Sequence, residues 1–483
     1  MQKISQWSEK DKKHAMAYSM MLVSIIVAFM LPADQGYYGV WSMMPPVIMF
    51  IFIMLTNKFI ESFVWGGFVA IIIKYKWAFI SVYIDKLLTQ AGDGDNLWLL
   101  VLITLIGALI AVMGKSGASR ALGNWLISKA KSPRSVLVIA WMLSLLLSFD
   151  DYFAAAAANT SMKEVFKKYK IPKELSTTVL RTAIVPGANI WPIGWPVFIT
   201  GLFVSSEFAT KANALVSYYK ILPFVIYPLV MIIVSLLIAL QVVPKTKVIQ
   251  KAIAEFDPSS YDTDDEQEEK QEEVKKYPFG IFNFIIPFTM YAGLTLYLGD
   301  GLYALIVTLI VTGIMYRIQG ILSTDDYIKS VMDGFRDMLE LGTLMALSFV
   351  LADAVMEIGF TDFVVGAVKS SNISVSFLPL IIFCLFAVTE FLVTLNWTLW
   401  MIAMPVIVTL CTATGANPYI TIGALLSAGI WGSNSCVISD AGMLTASTAR
   451  MDKVQHWRSV FPYTVIGLVV SIVFYLVIGL LGL

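Results

Sequence analysis

Apolar stretches of roughly 15–30 residues follow one another along most of the chain, and short polar loops separate them. A helix needs about 20 apolar residues to cross a bilayer. The pattern therefore predicts an all-α polytopic membrane protein with about 11 transmembrane helices and two re-entrant hairpins. In the first part of the chain, spans are expected over residues 15–31, 40–56, 59–73 and 97–114, with an interfacial helix over residues 77–90.

The apolar stretch over residues 135–162 differs from an ordinary span, because loops rich in lysine and arginine flank it on both sides. Such loops stay in the cytoplasm, so this stretch must return to the side that it entered. Its length as a helix is about 42 Å, whereas two crossings of a ~30 Å core need about 60 Å. The pattern predicts a re-entrant hairpin that enters from the cytoplasm, with Asp150 and Asp151 at its tip.

Two further stretches are expected to be broken spans. Residues 175–203 contain three prolines and two glycines close together, which cannot all lie in one continuous helix. A shift of about 242 residues superposes Gly187, in this break, on Gly429 in a second broken span over residues 418–447. The same shift superposes the first hairpin on residues 377–404, whose flanks are nearly free of lysine and arginine. These matches predict two five-span inverted repeats with discontinuous helices.

The repeats divide the chain into four expected units. These are an N-terminal tail with an extra first span (residues 1–36), the first repeat (37–248), an acidic cytoplasmic linker (249–277) and the second repeat (278–483). The linker composition favours a flexible connection, over a regulatory or cation-sensing role. Loop charge predicts a cytoplasmic N-terminus and an extracellular C-terminus.

Composition agrees with this class and disfavours others. With 58% hydrophobic and 14% charged residues, the chain is too apolar and too long for one soluble core. The 34 basic residues cancel the 34 acidic ones, so the charge does not indicate a nucleic-acid partner. The three cysteines lie in apolar segments, which is typical of small buried side chains, and no histidine pair has zinc-ligand spacing. No enzyme motif indicates catalysis, and no cofactor or transition metal is expected.

Polar side chains gather at the four predicted breaks, where an ionisable residue at bilayer depth indicates a substrate or ion path. The ends of half-helices add free N–H and carbonyl groups that bind ions. A carboxylate there can bind a cation when it is ionised and release the cation when it is protonated, which is the simplest route to proton-coupled exchange. The candidate oxygen ligands for sodium belong to Asp150, Asp151, Asn159, Thr182, Asn189, Glu390, Asn396, Ser433, Asn434, Ser439 and Asp440.

Several of these residues have an alternative interpretation. The two aspartates could cap the hairpin tip, and only one of them is expected to face the site, since neighbours on a helix point about 100° apart. Glu390 could lie on an exposed side of its hairpin. Asp353 and Glu357 share a helix face and could form part of a proton path, or reach the outer interface. Arg181 could neutralise an aspartate, bind an anionic group or extend toward the cytoplasm.

At these motifs the chain resembles the NhaC type of sodium/proton antiporter, within the ion-transporter superfamily of inverted-repeat carriers. The resemblance implies exchange of internal sodium for external protons, and some relatives exchange small organic acids or amino acids. It rests on the segments DDYF at residues 150–153, MKEVFKKYKIPKE at 162–174, Thr182-Ala183 with Pro186, and Ile438-Ser439-Asp440 with Asp452 and His456.

Two positions depart from the pattern of that family. Ser433 and Arg181 stand where the family has aspartates. The loss of carboxylates and the gain of a cation change the charge of the site. This change favours an organic substrate with a carboxylate, more than in a typical member.

The leading interpretation is a secondary antiporter that exchanges a monovalent cation, sodium, for protons by alternating access. The alternative is a sodium- or proton-coupled carrier or exchanger of a small carboxylate or amino acid, in which Arg181 shapes the organic site. A channel or a membrane receptor is a minor alternative, because a receptor needs no inverted repeat. The expected partners are the lipid bilayer, a small ion or solute and, by analogy with the superfamily, a second copy in a homodimer, but no nucleic acid.

Overall fold

The computed structural model describes residues 9–56, 58–115, 131–149, 151–192, 194–261, 282–298, 300–370, 374–393, 397–437 and 439–482. All regular secondary structure in these residues is helical. The predicted all-helical class is thereby confirmed for this part of the chain.

The helices fall into two sets on either side of a short helix, α12 (Lys247–Ala254). The first set comprises α1 (Glu9–Met30), α2 (Met44–Thr56), α3 (Phe59–Tyr75), α4 (Phe79–Gly92), α5 (Gly94–Lys115), α6 (Pro133–Leu147), α7 (Asp151–Lys168), α8 (Lys173–Gly187), α9 (Trp195–Ser205), α10 (Ala214–Ile221) and α11 (Ile226–Ala239). The second set comprises α13 (Phe282–Leu298), α14 (Gly301–Ile318), α15 (Thr324–Asp337), α16 (Leu339–Glu357), α17 (Phe360–Ser370), α18 (Leu378–Val393), α19 (Trp397–Thr414), α20 (Pro418–Ser435), α21 (Asp440–Thr448) and α22 (Lys453–Leu481).

Seven of the described helical stretches are long and apolar enough to cross a membrane, or eight if the bent pair α10–α11 counts as one span. The two helices of that pair differ in direction by 63°. The chain is therefore a membrane-embedded protein with several spans, as predicted. The total of about 11 spans and the inverted repeat stay predictions. The seven stretches are Asp11–Met30, Gly39–Thr56, Phe59–Gly92, Gly94–Lys115, Gly301–Ile318, Leu339–Glu357 and Lys453–Leu481.

Helix ends fall at three of the four places where the sequence predicts a hairpin tip or a break. In the first half, α6 ends at Leu147 and α7 begins at Asp151, and α8 and α9 are separated by residues 188–194. In the second half, α20 and α21 are separated by residues 436–439, whereas residues 394–396 of the predicted hairpin tip lie outside the described residues. The helices stop where prolines, glycines or clusters of polar residues interrupt the apolar sequence, since these residues disfavour the helix interior.

Each amphipathic helix packs against a span from the other half, α4 against α16 and α15 against α5. A Cβ atom on Gly334 would lie 2.3 Å from the carbonyl oxygen of Gly107, so the backbones of α15 and α5 touch directly. On α4, the Lys86 ammonium pairs with Asp353 and lies 2.9 Å from a carboxylate oxygen of Glu357. The two carboxylates on α16, for which the sequence left two roles open, therefore hold a lysine within the protein.

The first part of the predicted linker is folded. The buried Ile249 anchors α12, which packs against α8 and α22. The Tyr261 hydroxyl donates to the carbonyl oxygen of Ile171 at 2.8 Å, and burial raises the pKa of this tyrosine above its ordinary value. A flexible connection is therefore the wrong description up to residue 261, because apolar side chains in this segment find a surface to pack on. The acidic run at residues 262–273 lies outside the described residues.

Candidate functional site

The tip of the first hairpin packs directly on the break between α8 and α9. A Cβ atom on Gly187 would lie 2.7 Å from the hydroxyl oxygen of Ser148, and a Cβ atom on Gly194 would lie 2.2 Å from the carbonyl oxygen of Phe149. Gly194 has a φ of +70°, which glycine adopts far more readily than other residues. The missing side chains therefore let the two backbones meet beside Asp151.

A cavity of about 380 Å³ opens beside this junction. Asp151, the first residue of α7, lines the cavity and is 7% exposed. Phe149 and Trp195 lie on the same side, while α5 and the junction of α15 with α16 form the other walls. That junction contributes Asp337, an exposed carboxylate that the sequence did not single out, because it lies on an amphipathic helix and not at a predicted break. Two carboxylates thus line a largely apolar cavity.

Arg181 on α8 reaches across to the C-terminal end of α20 in the other half. Its Nε atom donates to the carbonyl oxygen of Asn434 at 3.1 Å. Its Nη2 atom donates to the carbonyl oxygens of Ser433 at 3.1 Å and Cys436 at 3.3 Å, and to the Ser439 hydroxyl at 2.6 Å. The last carbonyls of a helix have no partner within the helix. At this break the buried guanidinium supplies the partner.

Other residues complete the capping of this helix end. The Trp457 Nε1 atom donates to the carbonyl oxygen of Ser435 at 2.8 Å. The Ser439 hydroxyl accepts from the backbone N–H of Gly442 at 3.3 Å, which starts α21. A Cβ atom on Gly442 would lie 1.4 Å from Nη1 of Arg181, so only a glycine leaves room for the guanidinium. The free carbonyls predicted at this break are thus used by protein donors.

Glu390 lies inside the protein and not on an exposed side of its hairpin. It is located in the last turns of α18 and is 0% exposed. A Cβ atom on Gly432 of α20 would lie 2.3 Å from the Cγ atom of Glu390. In the first half, Ser148 meets Gly187 in the same manner, and Ser148 is the residue that the 242-residue shift superposes on Glu390.

Asn159 and Thr182 are buried and make hydrogen bonds within the protein. The Asn159 amide nitrogen donates to the Thr448 hydroxyl at 2.9 Å and thereby joins α7 to α21. The Thr182 hydroxyl donates to the carbonyl oxygen of Thr178, one turn earlier, at 2.6 Å. The first contact connects the two halves, whereas the second stays within α8.

Asn189 and Asn434 place one buried amide at each break. The Asn189 amide nitrogen donates to the carbonyl oxygen of Val185 at 3.3 Å, and that of Asn434 donates to the Tyr227 hydroxyl at 3.0 Å. Both amide oxygens are buried and have no hydrogen-bond partner among the described residues. A buried oxygen without a donor is a candidate ligand for a cation.

The structure thus brings some of the predicted site residues to each of the two breaks. Arg181, Ser433, Asn434 and Ser439 meet at the second break, and Asp151 lines the cavity at the first. Sequence reasoning missed Asp337, Tyr227, Gly442 and Trp457, which carry no signal of their own because their contacts arise only in the folded chain. Three predicted ligands lie outside the described structure, namely Asp150, Asn396 and the side chain of Asp440.

Comparison with known sequences identifies relatives of this chain. The sequence profile of the Na+/H+ antiporter family matches residues 192–480, which begin at the first break and include the second set of helices up to the last turn of α22. An uncharacterized protein of Haemophilus influenzae is 21% identical over 482 aligned positions, and the alignment covers 91% of each chain.

Two solved structures share the fold. The YdaH transporter of Alcanivorax borkumensis is 14% identical, with a TM-score of 0.55 over 83% of this chain and 87% of that chain. MtrF of Neisseria gonorrhoeae, described with a class of antimetabolite efflux pumps, is 12% identical, with a TM-score of 0.54 over 96% of this chain and 94% of that chain. At this level of identity the similarity concerns the fold alone.

Proposed function

This chain belongs to the Na+/H+ antiporter family, and from that premise we propose that it is a secondary antiporter that exchanges sodium for protons by alternating access. One observation carries the proposal. Asp151 is a buried carboxylate at the tip of a hairpin, and it lines a cavity beside a helix break. This is the arrangement in which secondary carriers hold small ions.

Asp151 can couple the two ions because its oxygens accept either a proton or a cation. A buried carboxylate is costly as an isolated charge, so it is stable when it carries a proton or when a cation balances it. Sodium and a proton therefore compete for the same oxygens, and the release of one accompanies the binding of the other. In this proposal two further carboxylates supply oxygen ligands for sodium. They belong to Asp150, which precedes Asp151 in the chain, and to Asp337 on the opposite wall of the cavity.

The contact of each hairpin with the broken span of the same half supports alternating access. Glycines let both hairpins lie directly on broken spans, so each hairpin can move together with its broken span as one body. The cavity lies between the first hairpin with its broken span and the spans α5 and α16. We place the protein in a bacterial plasma membrane, as its resemblance to the sodium/proton antiporters implies, and we infer a cytoplasmic N-terminus and an extracellular C-terminus from the loop charge.

Reconstituted vesicles test this proposal. Vesicles loaded with sodium and a pH dye are diluted into sodium-free buffer, and we expect the interior to acidify as sodium leaves and protons enter. Asp151→Asn, which removes the charge and keeps the shape, is expected to abolish the signal. The matched control Asp325→Asn changes an exposed aspartate on α15 and should transport normally. Acidification by Asp151→Asn at the wild-type rate would remove this residue from the mechanism.

A second candidate is a sodium- or proton-coupled carrier of a small carboxylate or amino acid. The cavity of about 380 Å³ is far larger than a bare cation and lies in the range of sites for small organic molecules. Its aromatic walls, and the description of MtrF with a class of antimetabolite efflux pumps, also support this candidate. If a sodium gradient moves no protons and added amino or organic acids alter the flux, this function replaces sodium/proton exchange.

A further inference from the structure

The second break contains an oxygen cluster of the kind that binds a monovalent cation. Three backbone carbonyls, those of Ser433, Asn434 and Cys436, converge with the hydroxyl of Ser439. The C-terminal end of a helix also carries partial negative charge, which favours a cation. In secondary carriers such half-helix ends, together with unwound backbone, coordinate the coupling ion.

In this chain a side chain already occupies that cluster. The guanidinium of Arg181 donates to all four oxygens at 2.6–3.3 Å, and Arg181 is 3% exposed. No carboxylate lies within 4.0 Å of it among the side chains that the structure describes, so its direct hydrogen-bond acceptors there are the oxygens of the break itself.

The described residues around the guanidinium pack closely against it. Gly442 packs against Nη1 so closely that a single methyl group would overlap it. Trp457 uses the remaining carbonyl of the last turn, that of Ser435. Ser433 carries no negative charge that would attract another ion.

We propose that Arg181 is a resident cation that takes the place of a transported cation at the second break. The guanidinium holds this break positively charged through the whole transport cycle. Ion exchange is then confined to the cavity beside the first hairpin, a consequence that rests on the proposed antiport function. The occupation of the cluster by Arg181 stands on the contacts alone.

Two substitutions separate a resident cation from a structural hydrogen-bond donor. Arg181→Gln keeps an N–H donor and loses the charge, whereas Arg181→Lys keeps the charge and loses the planar fork. Both are made in an Asp151→Asn background, so that sodium binding at the first hairpin does not contribute. The Tm of each protein in nanodiscs is measured against sodium chloride, with the ionic strength held constant by N-methylglucamine chloride.

The proposal predicts that only the neutral variant gains a response to sodium. The Tm of the Gln variant should rise by about 2–4 °C at saturating sodium, because a ligand that binds only the folded state stabilises it. The Lys variant and the parent with Arg181 should show no rise. An equal response of the Gln and Lys variants, or no response by either, would overturn the proposal.

A second measurement tests the proposal if the neutral Arg181→Gln variant does not fold. For Arg181→Ala, methylguanidinium in the extraction buffer is expected to restore a monodisperse protein, because it returns the missing group to the cluster. Failure to restore it, with methylguanidinium harmless to the wild type, would also overturn the proposal. Both measurements are independent of transport. The proposed antiport function is tested by the vesicle assay with Asp151→Asn, so the two proposals can fail separately.

Discussion

Replacing Gly194 by alanine tests the contact between the first break and the hairpin tip. Gly194 has φ +70° and ψ −121°, a conformation that costs a residue with a side chain about 1–3 kcal/mol. The new Cβ atom would lie 2.2 Å from the carbonyl oxygen of Phe149, whereas ordinary contacts begin near 3.4 Å. The two backbones must therefore separate by roughly 1 Å. Asp151 follows Phe149 by two residues, so its carboxylate moves with the tip.

A displacement of this size is large for a binding site. In enzymes a misplacement of ~1 Å can lower the rate about 100-fold, and we expect a comparable loss of sodium-driven proton movement in Gly194→Ala vesicles. The matched control is Gly320→Ala, which has φ +68° and no neighbouring atom within 4 Å. The control also places a side chain at a positive φ but without the collision, so it should lose some stability and keep its transport rate. Equal transport by the two variants would refute the role of this contact.

Two further substitutions test how the halves are held together. Asn159→Ala removes the donor to Thr448 and should lower the unfolding free energy by about 0.5–1.5 kcal/mol, measured by thermal unfolding in nanodiscs. In the Asn159→Ala background, Thr448→Val should cause no additional loss of stability. If the losses from the two single substitutions add up in the double variant, the hydrogen bond does not contribute. Lys86→Met should lower the Tm, because Asp353 and Glu357 lose a partner that is 12% exposed. Adding Asp353→Asn should recover part of that loss, and a further loss would contradict the ion-pair assignment.

The breaks could be predicted from the sequence because their causes are local. Prolines, glycines and charged residues interrupt apolar segments, and these residue types act on the backbone wherever they stand. Asp151 could be selected for a similar reason, since a carboxylate beside apolar sequence is costly in a membrane and indicates a function. The burial of Glu390 was one of two open interpretations, because a hairpin tip can face either the protein or the aqueous phase.

The partner of Arg181 could not be predicted from the sequence. Its guanidinium binds residues more than 250 positions later in the chain, and this contact exists only because α8 packs against α20. The sequence indicated a changed site charge and left three roles for the arginine open. None of them was the capping of a helix end. The same limit applies to Asp337, whose position at the cavity follows from the close crossing of α15 and α5.

Uptake of radiolabelled sodium into proteoliposomes tests the central claim most directly. The vesicles are preloaded with protons, and the outside is made alkaline, so that the proton gradient points outward. The account predicts that sodium accumulates in exchange, that a protonophore which dissipates the gradient abolishes the accumulation, and that Asp151→Asn vesicles accumulate none. Sodium uptake that persists without the gradient, or that is unchanged in Asp151→Asn, would contradict it.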